Sequence, residues 1–147
     1  MKQNEIICIG LLGILLGSLF FAGCVTTTNY MVPMRDGVTF STDVYLPKKV
    51  TPPQGAILIR SPYNKASALS KALGLNWAQH GWVTVMQDTR GRFASEGIDT
   101  VFKNDRYDGA DTLAWMANQS WSNGKIATWG GSALGIVQYL EAGANPP

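Results

Sequence analysis

The feature that most constrains the fold is a regular alternation of short apolar runs with helical segments. Two apolar runs flank Asp36-Gly37, a dipeptide typical of the tight turn between two antiparallel strands. After this predicted hairpin the chain repeats a strand and a helix three times. The predicted strands are 30–34, 38–46, 56–59, 82–87 and 125–129, and the predicted helices are 67–80, 105–119 and 133–142. This order predicts an α/β fold with a mostly parallel sheet that is entered by an antiparallel hairpin and flanked by helices.

Local patterns add predictions about burial and helix ends. In strand 38–46, apolar residues and Thr42 alternate with polar residues and Tyr45, which predicts one buried face. Run 56–59 is continuously apolar, as in a central strand that is covered on both faces, and 82–87 and 125–129 are also predicted to be buried strands. Asp105 or Asp108 is expected to cap the second helix, and Gly81 to end the first. The residues expected on the first helix's apolar stripe or in the core are Leu69, Leu73, Trp77, Trp115, Trp121 and Trp129.

The N-terminus has the pattern of a targeting signal. Lys2 precedes an apolar run at 6–22, and this run ends in Phe21-Ala22-Gly23-Cys24, which resembles a bacterial lipobox. The resemblance implies that 1–23 is a lipoprotein signal peptide, that Cys24 carries the lipid, and that 24–29 is a short tether. The alternative is an uncleaved membrane anchor, for which seventeen apolar residues are near the lower limit. Both interpretations place residues 30–147 in the cell envelope, anchored to the membrane and facing outside the cytoplasm.

Composition indicates a folded domain and gives no support for nucleic-acid binding. Hydrophobic residues make up 46% of the chain and charged residues 15%, which indicates a folded core rather than disorder. The net charge is +2 without a basic run, so nothing favours a nucleic-acid partner. Both cysteines lie in or beside the signal segment and give no disulfide framework. No metal or organic cofactor is implied.

One stretch carries a chemical pattern. A predicted strand ends in Gly130-Gly131-Ser132, and the next helix begins at Ala133. In a nucleophile elbow the serine takes a strained backbone on such a turn, so its neighbours must be small, as Gly130 and Gly135 are. The serine hydroxyl is then held above the sheet, and the Ala133 N–H points at a developing oxyanion. The usual pattern has its last glycine one residue earlier, and a plain strand-to-helix turn with Ser132 as the N-cap remains an alternative.

Several further segments occur in an order that resembles the CocE/NonD hydrolases, the family of cocaine esterase and X-Pro dipeptidyl-peptidases. The resemblance covers about residues 32–142. Its segments are 34–38, 42–47, 60–65, 87–92, 95–97, 108–112, 121–125 and 130–132. The resemblance implies the N-terminal half of an α/β-hydrolase fold acting on ester or amide bonds, including X-Pro dipeptidyl bonds. It also implies that the partners of the complete protein are small-molecule or peptide substrates.

The resemblance also assigns roles to individual residues. Ser132 corresponds to the nucleophile, the Tyr63 hydroxyl to one donor of the oxyanion hole, and the Ala133 backbone N–H to the other. From the residues alone, the favoured interpretation of Tyr63 is a turn residue whose ring packs under the sheet. Ala133 departs from the tyrosine that commonly follows the serine, which removes a wall of the acyl pocket. Leu134 stands where related amino-acid ester hydrolases have a glutamate.

The main departure from the family is the missing catalytic partners. In this fold an acid and a histidine follow the serine, but only fifteen residues follow Ser132, Glu141 is their only acid, and none is a histidine. His80 precedes the serine and is interpreted as a surface or helix-end residue. The loop 88–97 is interpreted as ion-paired turns rather than a site. The later strands and the family's C-terminal jelly-roll domain are also missing.

Two hypotheses follow from the sequence. The first is a lipid-anchored serine hydrolase of which this chain is a truncated N-terminal fragment. The second is a short, catalytically inactive lipoprotein with a structural or binding role. Because a serine without a base is a poor nucleophile, we expect the chain as written not to react at Ser132 with a fluorophosphonate.

Overall fold

The computed structural model describes residues 4–7, 24–48, 50 and 52–146, with the backbone alone for 4–7. Most of the predicted signal peptide, 1–3 and 8–23, therefore lies outside the described residues. Within the described ranges, no helix combines the length and the apolar character needed to cross a bilayer.

Strands and helices alternate as the sequence predicts. The strands are β1 (Asn4–Ile7), β2 (Val25–Pro33), β3 (Thr39–Leu46), β4 (Gln54–Ser61), β5 (Val83–Asp88) and β6 (Ser122–Thr128), and the helices are α1 (Ala68–Gln79), α2 (Asp105–Ala117) and α3 (Ala133–Ala142). The described strands form one sheet in the order β1-β2-β3-β5-β4-β6. The pairs β1–β2, β2–β3 and β3–β5 are antiparallel, while β5–β4 and β4–β6 are parallel. The α/β class is confirmed, and parallel pairing is confined to β5, β4 and β6.

The predicted tether at 24–29 is wrong. Strand β2 begins at Val25, not at residue 30, and pairs with β3 from Thr26↔Leu46 to Pro33↔Thr39. The physical reason is the run of β-branched residues at 25–28, which fits a pleated strand. The predicted turn at 36–37 is present, with Gly37 at φ 85°. Residues 25–29 are therefore part of the sheet rather than a tether.

Strand β3 is buried on both faces, although its alternation predicted burial of one face. The second face is covered by α1 and by a charged side chain. Gly74 of α1 lies so close to the Tyr45 ring that a Cβ at this glycine would be 2.6 Å from it. Asp43 forms an ion pair with Lys65 at 2.8 Å. The polar half of the strand is therefore buried by specific partners.

The helix ends are set by local hydrogen bonds. Ser67 precedes α1 and accepts a hydrogen bond from the Ser70 N–H, and Gly81, at φ 90°, ends the helix as predicted. The prediction that Asp105 or Asp108 caps α2 is wrong. Asn104 is the N-cap residue, and both carboxylates pair with arginines instead.

The core lies on both faces of the sheet. On one face the buried residues are Val44, Ala56, Leu58, Val83, Val85, Leu113, Met116 and Trp121. On the other face they are Val25, Tyr45, Ile57, Ile59, Ala78 and Met86, with Leu73 and Trp77 packed against them. Leu69 was expected on the inner stripe of α1 but is 81% exposed. The burial of α1 is carried by Gly74 and Ala78.

The prediction that strand 125–129 is buried is wrong, because much of the corresponding strand β6 is exposed. This strand pairs with β4 along one edge, and no strand of the described part pairs with its other edge. Trp129, expected in the core, is 41% exposed for the same reason. Trp121 is buried and Trp115 is half-buried, with their ring centroids 6.2 Å apart.

Candidate active site

The turn between β6 and α3 places Ser132 in a backbone conformation that is rare for a residue with a side chain. Its φ is 55° and its ψ is −130°, a combination that costs about 1–3 kcal/mol and persists only where the surroundings enforce it. The residue is exposed at the edge where the parallel strands end. The predicted strand, sharp turn and helix are therefore present, with the serine at the strained position.

The hydroxyl of Ser132 is not used to cap its own helix. Ser132 stands at the N-cap position of α3 but forms no side-chain cap hydrogen bond. Ser67 at the start of α1 does form one, accepting from the Ser70 N–H at 3.2 Å. The alternative in which the Ser132 side chain serves as an ordinary N-cap is thus not realised.

Two glycines give the turn its space. A Cβ at Gly130, whose φ is 150°, would lie 2.3 Å from the Leu134 Cβ. A Cβ at Gly135 would lie 3.3 Å from the Gly130 carbonyl oxygen. Gly131 differs, because a Cβ there would have no heavy atom within 4 Å. Close approach of α3 to the turn therefore depends on Gly130 first and on Gly135 second.

The neighbouring glycines provide a matched pair of variants. We expect Gly130→Ala to lower the free energy of unfolding by about 2–4 kcal/mol, because it adds both backbone strain and a clash with the Leu134 side chain. We expect Gly131→Ala to change it by less than about 0.5 kcal/mol, because its side chain enters open space. Urea unfolding of both proteins measures the difference. Equal stability of the two variants would contradict the steric account of the turn.

The backbone N–H of Ala133 lies at the start of α3. As the first residue of the helix, Ala133 has no carbonyl one turn earlier within the helix to accept its N–H. The Ser132 carbonyl, by contrast, accepts from the N–H groups of Gly135 and Ile136 at 2.9 and 3.0 Å. Because the helix dipole is positive at this end, an oxyanion beside the Ser132 hydroxyl would be stabilised here.

Tyr63 lies on the segment that leaves the neighbouring strand. Leu58 of β4 and Thr128 of β6 are register partners, and both chains then run out at the same edge, toward Tyr63 and Ser132. The Tyr63 side chain is 58% exposed, so its ring does not pack under the sheet as the alternative interpretation required. The topology therefore places the tyrosine and the serine at adjacent strand ends.

The turn that carries Tyr63 is held from several sides. The Ser61 hydroxyl accepts from the Tyr63 N–H at 3.0 Å. Arg92 donates to the Pro62 carbonyl at 3.2 Å, and the Asp88 carboxylate accepts from the Lys65 N–H at 2.7 Å. Burial raises the pKa of Asp88, and the bond from the Lys65 N–H limits the rise. Tyr63 is thus an exposed side chain on a fixed backbone.

Beneath the two strand ends lies a buried charge cluster that the sequence analysis missed. The Arg60 side chain is 1% exposed and pairs with Asp105 of α2 at 2.9 Å and with Glu141 of α3 at 3.5 Å. It also donates to the Gln87 side chain at 3.1 Å. Burial raises the pKa values of Glu141 and Asp105, while the charge of Arg60 opposes the rise. The sequence offered one indication of this cluster, because Arg60 directly follows the four apolar strand residues 56–59 and continues a buried strand.

The loop 88–97 is an ion-paired structure, as predicted. Arg90 pairs with Asp108 at 2.6 Å and with Asp36 at 2.8 Å, and the hydrogen bond to Asp108 raises the pKa of Arg90. Glu96 accepts from the N–H and the hydroxyl of Thr39. These contacts fasten the loop to α2 and to the β2–β3 hairpin.

His80 lies at the end of the sheet where the parallel strands start, whereas Ser132 lies where they finish. It is the C-cap residue of α1, is exposed, and has its Nδ1 2.7 Å from the Asn76 carbonyl oxygen. The helix end leads into Val83, which pairs with Ala56 near the start of β4. The prediction of a helix-end residue is confirmed. In the part of the chain that the structure describes, no group of acidic, histidine or cysteine side chains could hold a metal ion.

Cys24, the predicted lipidation site, directly precedes β2. Its sulfur is part of a disulfide bond in this structure, whereas lipidation would need the same sulfur as a thiol. Lipidation of Cys24 therefore stays a prediction.

The sheet topology and the serine turn define the α/β-hydrolase class. The chain belongs to the X-Pro dipeptidyl-peptidase (S15) family, whose sequence model matches residues 36–147. The resemblance to the CocE/NonD hydrolases is thereby confirmed.

Individual relatives agree with this assignment. The chain is 40% identical over 119 residues to cocaine esterase from Rhodococcus sp. (strain MB1 Bresler), covering 78% of this chain and 21% of that protein. A CocE/NonD family hydrolase from Staphylococcus aureus has a similar structure, with a TM-score of 0.77, 26% identity, and coverage of 88% of this chain and 27% of the other. An alpha-amino acid ester hydrolase gives a TM-score of 0.71 at 30% identity, with coverage of 82% and 23%. The chain thus spans about a fifth of the length of the curated relatives it matches.

Proposed function

We propose that these residues carry the nucleophile and the oxyanion hole of a serine hydrolase that acts on ester or amide bonds. The observation that carries the proposal is Ser132, held at positive φ on a strand-to-helix turn with no cap bond from its side chain. The Ser132 hydroxyl attacks the substrate carbonyl. The Tyr63 hydroxyl and the Ala133 N–H stabilise the tetrahedral oxyanion, each donor lowering the barrier by about 2.7–4 kcal/mol.

The base that activates Ser132 is proposed to come from residues other than these 147. His80 is the only histidine of the chain, and it lies at the opposite edge of the sheet. Glu141 is buried against Arg60, so it is unsuited to orient a histidine beside Ser132. A histidine outside this segment takes the serine proton and passes it to the leaving group, while an acid orients that histidine. The matched segment makes up 21% of one relative and 27% of another, which leaves room for both residues.

The named relatives support the proposed substrate class. These are an esterase for cocaine, a hydrolase of alpha-amino acid esters and a family of X-Pro dipeptidyl-peptidases. Each of these names denotes hydrolysis of an ester or a peptide bond. Both kinds of bond are cleaved by attack of a nucleophile on the carbonyl carbon. The proposal is accordingly an acyl-transfer reaction to water, with a small ester, an amide or an X-Pro peptide as substrate.

The test uses the full-length protein as the cell produces it. A fluorophosphonate is added, and the protein is digested and analysed by mass spectrometry. We expect one adduct, on the peptide that contains Ser132. No adduct, or an adduct on another serine, would contradict the proposal and favour the alternative of a catalytically inactive lipoprotein. That alternative is favoured by one observation, the position of the only histidine at the far edge of the sheet.

We further propose that Cys24 is the lipid-bearing N-terminus of the mature protein. The support is the lipobox-like sequence before it and the apolar run of 6–22. Cells that express the full-length gene with an alkynyl fatty acid should give labelled protein. The Cys24→Ala variant should give none, while Cys8→Ala, which alters the other cysteine, should keep the label. Equal labelling of Cys24→Ala and the wild type would exclude this lipidation site.

A further inference from the structure

The side chain of Gln138 connects the three parts of the serine turn. Its Oε1 accepts a hydrogen bond from the Thr128 hydroxyl, at the end of β6, at 2.7 Å. Its Nε2 donates to the Gly130 carbonyl in the turn at 3.2 Å. The same nitrogen donates to the Leu134 carbonyl, one turn earlier in α3, at 3.0 Å. One amide therefore bonds to the strand, the turn and the helix at once.

The turn needs such a restraint because two of its residues are glycines. Gly130 has a φ of 150°, and Gly131 has open space where a Cβ would lie. Glycine has more backbone freedom than any other residue, and this freedom has to be removed if Ser132 is to stay in its strained conformation. In the described part of the chain, the bond from Gln138 is the one side-chain hydrogen bond to the backbone of residues 129–132.

The backbone bonds around the turn leave its middle unrestrained. At the entry, the Trp129 N–H donates to the Leu58 carbonyl at 3.0 Å. At the exit, the Ser132 carbonyl accepts the first bonds of α3. The Gly130 peptide lies between these two fixed points, and Gln138 holds it.

We propose that Gln138 is a positioning residue that fixes the Gly130 peptide and thereby aims the Ser132 hydroxyl and the Ala133 N–H. The inference rests on the proposed hydrolase function, in which these two groups act on the substrate carbonyl. Gln138 acts through the turn and not on the reacting atoms. An amide suits this role because it offers an acceptor for Thr128 and donors for the carbonyls. A glutamate keeps the acceptor and loses the donors, and a leucine loses both.

A matched control exists in the preceding helical segment. The Gln119 side chain, just after α2, donates to the Trp115 carbonyl four residues earlier at 3.0 Å. This is the same local bond that Gln138 makes to the Leu134 carbonyl. The Gln119→Leu variant therefore removes a glutamine and its local bond without touching the serine turn.

The first measurement does not depend on catalysis. Backbone amide hydrogen exchange is followed in full-length protein for the wild type, Gln138→Leu, Gln138→Glu and Gln119→Leu. We expect exchange in residues 129–136 to be about tenfold faster in both Gln138 variants, as for the loss of one or two hydrogen bonds. We expect no change in this segment for Gln119→Leu. Unchanged exchange in Gln138→Leu, or an equal increase throughout α2, would overturn the proposal.

The second measurement is the second-order rate of fluorophosphonate reaction at Ser132. We expect this rate to fall about tenfold in Gln138→Leu and Thr128→Val, each of which removes part of the bridge. Thr128→Ser keeps the hydroxyl and should restore the wild-type rate, which a loss of packing alone would not do. Equal rates in Thr128→Val and Thr128→Ser would overturn the proposal. A wild-type protein that does not react contradicts the hydrolase function and with it the aiming role, while the exchange data still measure whether Gln138 fixes the turn.

Discussion

In the full-length protein, Ser132→Ala is expected to hydrolyse esters and amides at least about ten-thousand-fold more slowly than the wild type. The reason is that the variant keeps the backbone of the turn and both oxyanion donors but has no oxygen to form the acyl intermediate. Initial rates with an aryl ester and with an X-Pro anilide measure the loss, and the faster of the two substrates also indicates the preferred bond. A variant that keeps a tenth of the wild-type rate would exclude Ser132 as the nucleophile.

Ser132→Gly separates the role of the hydroxyl from the cost of the conformation. This variant should be as inactive as Ser132→Ala. We nevertheless expect it to be more stable by about 1 kcal/mol, because glycine adopts the φ of 55° with little steric penalty. Urea unfolding of the two variants measures the difference. If Ser132→Gly is the less stable of the two, the strain at this position is smaller than the backbone geometry indicates.

The second large effect is expected at the buried arginine. We expect Arg60→Met to lower the free energy of unfolding by about 3–5 kcal/mol, because it leaves two buried carboxylates without their cation. These carboxylates belong to Asp105 and Glu141, so the contacts of α2 and α3 with the end of β4 should weaken together. Urea unfolding followed by tryptophan fluorescence measures the change.

The matched control is Arg35→Met, which breaks an ion pair of similar geometry on the surface. Arg35 contacts Asp111 at 2.7 Å, but 55% of its side chain is exposed. Because exposed ion pairs contribute little to stability, this variant should unfold much as the wild type does. If this variant loses as much stability as Arg60→Met, burial does not explain the large contribution of the Arg60 ion pairs to the free energy of unfolding.

The loss in Arg60→Met should depend on pH with a defined sign. Burial raises the pKa of Glu141 above its ordinary value of 4.5 in the folded protein. A folded state with a raised pKa binds more protons than the unfolded state, so its stability falls as pH rises from the unfolded pKa through the folded one. Removing Arg60 raises the folded pKa further. The stability difference between Arg60→Met and the wild type should therefore be larger near pH 8 than near pH 4.5, and a difference independent of pH would contradict this account.

The α/β order, the hairpin and the elbow could be predicted from the sequence because each depends on local pattern. Asp36-Gly37 encodes a turn, and Gly130 and Gly135 encode the space around Ser132, whatever the rest of the chain does. The predicted roles of Ser132 and Ala133 come from the local elbow pattern as well as from the family resemblance, and the structure contributes the geometry in which they can act. That Tyr63 lies near these two residues could be established only from the parallel pairing of β4 with β6.

The predictions that failed depended on tertiary context. The alternation in β3 could not reveal that Lys65 and α1 would bury its polar face. The composition of β6 could not reveal that no strand of the described residues would pair with its other side, so Trp129 was misplaced in the core. The Arg60 cluster joins residues that are 45 and 81 positions apart in the chain. Only a folded chain brings such partners together.

The direction of β2 has a consequence for the orientation of a lipidated protein. Strand β2 is antiparallel to β3, which is antiparallel to β5, so β2 runs the same way as β4, β5 and β6. Val25 thus lies where these strands start, and Ser132 lies where they finish, with nine residues of β2, about 30 Å, along this axis. No flexible spacer separates Cys24 from Val25. Acyl chains on Cys24 would therefore hold the end of the sheet where β2 starts, opposite Ser132, close to the bilayer. The serine would then point into the aqueous compartment, toward dissolved substrates rather than toward lipids.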